Sequence, residues 1–257
     1  MLGAIIGDIV GSRFEFNNYR KKDFKLFHRD CDFTDDTICT IAVADWLMSP
    51  TGNLSDTMRK WCRSYPSSYG GMFKKWIQDE QMGAYNSFGN GAAMRVSPTA
   101  WYFNHILEVL ESAELSASIT HDHPEGIRGA KCIAGSILCL RTGMSKIEIK
   151  DYIELVFHYN LNLTCDWIRR VNTFDETCQI TVPQAIIAFL ESTSFEDAIR
   201  NAVSIGGDSD TIAAITGSLA EAHYGIPQEI IKQALTYLPE DMNKIINQFN
   251  YHCHAKL

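Results

Sequence analysis

The chain has 257 residues, 46% of them hydrophobic and 21% charged, with a formal net charge of -8. That is the composition of an ordinary globular protein with room for one large domain. The acidic balance argues against a nonspecific nucleic-acid binder, which carries a basic surface, but leaves open a nucleotide-like ligand held in a local site.

The N-terminal run Met1-Leu2-Gly3-Ala4-Ile5-Ile6-Gly7-Asp8 lacks the basic start of a signal peptide, and Asp8 interrupts its apolar stretch. No later stretch is long and apolar enough to span a membrane, so a cytoplasmic protein is expected. The eight cysteines form no CxxC pair. They read as buried free thiols of a reducing compartment. Glu15 follows in Gly7-Asp8-x-x-Gly11-Ser12-x-Phe14-Glu15 and leads into a polar, aromatic segment up to Phe33 that reads as a mobile loop.

Helical periodicity dominates from there on. Apolar side chains at i, i+3 and i+4 spacing predict helices over residues 37–48, 106–119, 127–140, 147–157, 183–191, 195–203, 210–223, 228–238 and 242–249. Thr34, Ser145 and Ser194 are the cap candidates, and Gly225 followed by Pro227 fits one helix ending and another starting. No alternating run earns a strand and no hairpin dipeptide joins two such runs. The expectation is an all-α bundle of roughly ten or more helices in one compact domain over residues 1–257. Tyr251-His252-Cys253-His254 reads as a frayed tail without a role.

Two acidic boxes carry the chemistry: Thr34-Asp35-Asp36-Thr37 and Asp208-Ser209-Asp210-Thr211. Each opens a helical run, and both contain Asp-Thr-Ile-x-x-Ile (Asp36 to Ile41, Asp210 to Ile215). One box alone is an ordinary capped helix start, with acids complementing the helix dipole. Two boxes with more carboxylate than capping needs suggest two helix ends facing a common point. Helix N-termini oppose a cation, so a metal there needs several carboxylates. The all-oxygen donor set favours Mg²⁺ or Mn²⁺ over structural Zn²⁺. Ser87-Phe88-Gly89-Asn90-Gly91-Ala92-Ala93 is a small-residue turn entering a helix. Its N–H groups could approach a phosphate, though the same residues also make a plain turn. In Thr120-His121-Asp122-His123-Pro124, His123 reads as a solvated loop residue and His121 as a possible partner for a ligand hydroxyl.

Taken in order, these segments resemble the ADP-ribosylglycohydrolase family, whose type member removes ADP-ribose from dinitrogenase reductase. The matching residues are Gly7-Asp8, Gly11, Glu15, Thr34-Asp35-Asp36-Thr37, Gly89-Asn90-Gly91-Ala92-Ala93-Met94-Arg95-x-x-Pro98, Thr120-His121-x-x-Pro124 and Gly206-Gly207-Asp208-x-Asp210-Thr211. The resemblance implies an all-α fold with a binuclear metal cleft that takes two divalent cations, Mg²⁺ or Mn²⁺, and binds ADP-ribose. It implies Thr34, Asp35, Asp36, Asp208, Asp210 and Thr211 as metal ligands or their immediate supports. Ser87, Phe88, Gly89, Asn90 and Gly91 would hold the diphosphate, with Phe88 stacking or packing, and His121 would face the distal ribose. Glu15 and Asp35 are the candidate catalytic carboxylates. The implied activity is hydrolysis of the glycosidic bond between ADP-ribose and an acceptor, on an ADP-ribosylated protein (arginine or serine) or another ADP-ribose conjugate, by a monomer with no membrane partner. The alternatives are a catalytically silent ADP-ribose-binding protein on the same scaffold and a Mg²⁺-dependent diphosphate enzyme of another class.

Overall fold

The computed structural model describes residues 1–49 and 51–254, and the last residues of the expected 1–257 unit lie outside the described ones. The described chain is built from helices: α1 (Leu2–Gly11), α2 (Asp35–Met48), α3 (Leu54–Ser64), α4 (Gly71–Gln78), α5 (Gly91–Met94), α6 (Ser97–Tyr102), α7 (Ile106–Ser118), α8 (Pro124–Arg141), α9 (Lys146–Phe157), α10 (Cys165–Val171), α11 (Cys178–Leu190), α12 (Phe195–Ser204), α13 (Ser209–Tyr224), α14 (Gln228–Leu235) and α15 (Glu240–His254). Extended pairing among the described residues is one isolated bridge between Gly89 and Thr177. No helix among them is long and apolar enough to cross a membrane.

α13 forms the centre. Every residue from Ser209 to Ala220 is buried, and α1, α11, α12 and α8 pack around it. α2 is buried from Asp36 to Ala44, between α3, α15, α1 and α6. A helix buried on all sides needs no polar face. The two acidic boxes therefore open helices that are buried along most of their length. α1 lies against α13 at very short range: a Cβ on Gly7 would meet the Ala213 carbonyl oxygen at 2.0 Å, and one on Gly3 the Gly217 carbonyl oxygen at 2.1 Å. Only glycine permits that approach.

The expected helices are present, with shifted ends. α11 starts at Cys178, earlier than expected, and α14 stops at Leu235. The expected caps hold: Thr34 accepts from Asp36 N, Ser145 and Glu148 make a reciprocal capping box, and Ser194 accepts from Asp197 N. The seven cysteines from Cys31 to Cys178 are free thiols. Two expectations are corrected. The supposed tail belongs to α15, which runs to His254 with Phe249 and Cys253 packed on the core. The segment before Phe33 is stapled rather than loose. Arg20 donates to the carbonyls of Arg169, Ile205 and Asn172, and Asn18 pairs in both directions with the Gly207 backbone.

Candidate active site

The starts of α2 and α13 meet at one place. The Thr211 hydroxyl, on α13, donates to Asp36 Oδ2 on α2 at 3.1 Å. The Thr37 hydroxyl, on α2, donates in turn to Asp8 on α1. Each threonine that follows a box aspartate thus holds a carboxylate on the neighbouring helix. The repeated Asp-Thr pattern therefore does more than cap. In the second box Asp208 occupies the cap position of α13, but its side chain makes no capping bond to the backbone of that helix start. Its Oδ2 instead accepts from Asn90 Nδ2 at 2.6 Å. Gly206 and Gly207, with φ of 70° and 82°, make the left-handed turn that presents it.

Asp8 is the residue to which the sequence reading gave no role. Its carboxylate is fully buried and accepts from Thr34 N at 2.9 Å, Thr34 Oγ1 at 2.7 Å, Thr37 N at 3.0 Å and the Thr37 hydroxyl. Three of the four donors converge on Oδ2 and one, the Thr34 hydroxyl, on Oδ1. Asp8 therefore clamps the first box in place. The available signal was the one used only to exclude a signal peptide: a carboxylate inside an apolar helical run.

Carboxylate oxygens of Asp8, Asp36 and Asp210 lie within 4.8 Å of one another, and so do those of Glu15, Asp208 and Asp210. None of the ion pairs among the described residues includes Glu15, Asp35 or the buried aspartates. Crowding and burial push their pKa values up. Burial, then Asp208 and Asp35, raises Glu15 to about 7. Burial, then Asp8, raises Asp35 to about 7. Asp8 rises to about 6 through burial, opposed by its hydrogen bonds from Thr37 and Thr34. Asp36 and Asp210 are raised well above the usual range by burial and by neighbouring carboxylates. Asp36 Oδ1 is buried with no hydrogen-bond partner. A buried, unpaired carboxylate oxygen among like charges fits a divalent cation, which would satisfy it and balance the cluster.

A cleft opens over these groups. Its lining includes Glu15, Asp35, Asp36, Asp208, Asp210 and Thr211 on one side, and Ser87, Gly89, Asn90, Gly91 and His121 on the other. The glycine turn is clamped from behind: Asn90 N donates to Glu176 O at 2.7 Å, and Cys178 N to Phe88 O at 3.0 Å. Asn18 Nδ2 donates to the Glu15 carbonyl at 3.2 Å and to that of Gly207 at 2.9 Å, which ties Glu15 to the turn carrying Asp208. The Thr34 hydroxyl is engaged with Asp8 and with Asp36 N. Phe88 is 47% exposed and rests edge-on against His123 beside the cleft lining. Tyr85 and Glu176 also line the cleft, and nothing in their sequence surroundings singled them out; Arg95, quoted in the matching segment without a role, lines it too.

A family model described as ADP-ribosylglycohydrolase matches residues 1–254. Among known proteins, the chain is 24% identical to ADP-ribosylhydrolase ARH3 of Danio rerio, over 88% of this chain and 82% of that protein. It is 26% identical to ADP-ribosylarginine hydrolase Tri1 of Pseudomonas putida (strain GB-1), over 88% of this chain and 70% of that protein. A solved structure titled "ADP-ribosylglycohydrolase-related protein complex" superposes with a TM-score of 0.76 at 21% identity, covering 98% of this chain and 95% of the other, a likeness of fold.

Proposed function

The chain belongs to the ADP-ribosylglycohydrolase family, and on that premise we propose that it hydrolyses the glycosidic bond joining ADP-ribose to an acceptor, with divalent cations held between the two acidic boxes. The observation that carries this reading is the junction itself: Thr211 bonded to Asp36, with the partnerless Asp36 Oδ1 at the floor of a cleft. The proposed ligands are Asp35, Asp36, Asp208, Asp210 and Thr211, with Thr34 using the acceptor site that its bonds to Asp8 and Asp36 N leave open. Mg²⁺ or Mn²⁺ bound there supplies Lewis-acid polarisation of oxygen and makes water a better nucleophile near neutral pH.

The protein groups have separable tasks. The small-residue turn from Ser87 to Gly91 offers N–H groups to an anionic diphosphate. His121 offers a ring nitrogen to the sugar end. In the reaction the bond from the anomeric carbon of the distal ribose to the acceptor breaks. Water supplies hydroxyl to that carbon and a proton to the departing acceptor, through an oxocarbenium-like transition state. The proton carrier must titrate near the working pH. Glu15, only partly buried and raised to about 7 by burial, Asp208 and Asp35 while no cation offsets them, is the carboxylate we assign that task. An aspartate on a cation is held ionised and is a poorer acid, so Asp35 would serve to hold and orient.

The test is a panel of ADP-ribose conjugates (arginine, serine and small-molecule acceptors), each incubated with and without chelator. Release of ADP-ribose from at least one conjugate, lost with chelator and lost in Asp36→Ala and Asp210→Ala, is the expected result. Undiminished release by either variant would remove the two-box centre from the chemistry.

A further inference from the structure

We propose that Arg95 and Thr120 form a hydrogen-bonded relay that fixes the tautomer of His121, so that the imidazole meets the ligand as a neutral Nε2–H donor. Arg95 lies between α5 and α6 and is 1% exposed. Its Nη2 donates to Ser116 O at 2.6 Å and to Thr120 Oγ1 at 2.9 Å. A guanidinium has donors only, so the Thr120 hydroxyl must accept there. Its single hydrogen then points elsewhere. The His121 Nδ1 atom stands 2.7 Å from Thr120 Oγ1 and is the acceptor available to it among the described residues. A neutral imidazole that accepts at Nδ1 carries its proton at Nε2. A second ring proton at Nδ1 would confront the hydroxyl hydrogen, in a buried place beside the Arg95 cation. Burial and Arg95 accordingly hold the ring well below the ordinary histidine range.

The Nε2 side faces the glycine turn. A Cβ on Gly91 would lie 2.9 Å from Nε2, and one on Gly89 3.5 Å from it. Nε2 makes no hydrogen bond to the described residues, and the ring lines the cleft. The missing side chains leave room in front of a donor whose direction and protonation are set from behind. An oxygen of the ligand, a sugar hydroxyl or a phosphate, is the chemical partner. Assigning that oxygen to ADP-ribose rests on the function proposed above. The tautomer itself does not. Arg95 and Thr120 are positioning residues: they act through His121 and need not touch the ligand.

The experiment is long-range proton–nitrogen NMR on the full chain with ¹⁵N-labelled histidine, the His121 signals identified by their loss in His121→Gln. The native protein should show a proton-bearing Nε2 and a bare Nδ1, unchanged between pH 6 and pH 8. Thr120→Val, nearly the same shape, should give mixed tautomers, and Thr120→Ser should restore the native pattern. Binding of ADP-ribose, read by calorimetry, should weaken roughly tenfold in Thr120→Val, the equivalent of one hydrogen bond, and recover in Thr120→Ser. A protonated Nδ1 in the native protein, or a native pattern persisting in Thr120→Val, overturns the relay. Should the native protein show the expected tautomer and response to Thr120→Val yet bind no ADP-ribose, the relay stands and the proposed function alone falls.

Discussion

Asp8 and Asp210 are carboxylates of one buried cluster, yet neutralising them should have opposite effects. Asp8 accepts from two backbone N–H groups and two hydroxyls. In Asp8→Asn an amide N–H donor replaces one acceptor, at the least the oxygen that accepts from the Thr34 hydroxyl. The loss should be about 1–3 kcal/mol, the cost of leaving buried donors unsatisfied, with or without metal. Asp210 is different. Its Oδ1 accepts from Thr211 N at 3.0 Å, a bond an asparagine oxygen can keep. Its charge is opposed by burial, Asp208 and Asp36. Asp210→Asn should therefore raise the melting temperature in chelator and abolish the further rise that Mg²⁺ or Mn²⁺ gives the native protein. Thermal unfolding of both variants, each with chelator and with metal, checks the pair of signs. This difference marks what was legible. Both boxes could be read from their recurring pattern and their surplus of acid. The task of Asp8 could not, because its partners Thr34 and Thr37 come to it only through the packing of α1 on α2.

At the scale of elements, the acidic centre depends on how closely α1 lies on α13. Gly3, Gly7 and Gly11 share one face of α1 at four-residue spacing. A Cβ on Gly11 would come within 2.5 Å of Asp210 Cα. Gly7→Leu must push the two helices apart, since the obstacle is backbone and cannot rotate away. The expected destabilisation is about 3 kcal/mol or more, at the upper end for overpacking. Metal affinity should fall with it, although residue 7 carries no ligand, because Asp8 and Asp210 sit on the displaced helices. Calorimetric titration with Mn²⁺ on protein shown by circular dichroism to be folded reads that coupling, and native affinity would separate the centre from the helix contact. The same stripe explains why α1 was not assigned from the sequence. Glycine is a poor helix former, and only the tertiary contact repays it. α3 is another matter: Asn53 caps it and Leu54, Met58, Trp61 and Cys62 share its buried face. That signal was in the sequence and was passed over.

For the whole molecule, the raised carboxylates set how stability follows pH when no cation is bound. Glu15 and Asp35 move from 4.5 and 3.8 to about 7, and Asp8 from 3.8 to about 6. Between those values the folded state holds protons that the unfolded chain has released. Stability then falls as pH rises, with the loss complete above the folded values. Asp36, Asp208 and Asp210 shift in the same direction. His121, His223 and the buried Met1 amino group shift downward and oppose them, since the unfolded chain gains their protons as pH falls. Glu176 is raised as well, by burial, Asp208 and Asp175, and seven carboxylates against three bases leave the carboxylates ahead. Carboxylates lowered by local bonds, Asp197 and Glu148, exert their effect only at more acid pH. The chelated protein should therefore melt at a higher temperature at pH 5.5 than at pH 8. Saturating Mg²⁺ should narrow or reverse that difference, because a cation favours the ionised cluster and protons compete with it. A chelated protein that melts higher at pH 8 than at pH 5.5 would mean that the carboxylates do not share one desolvated centre.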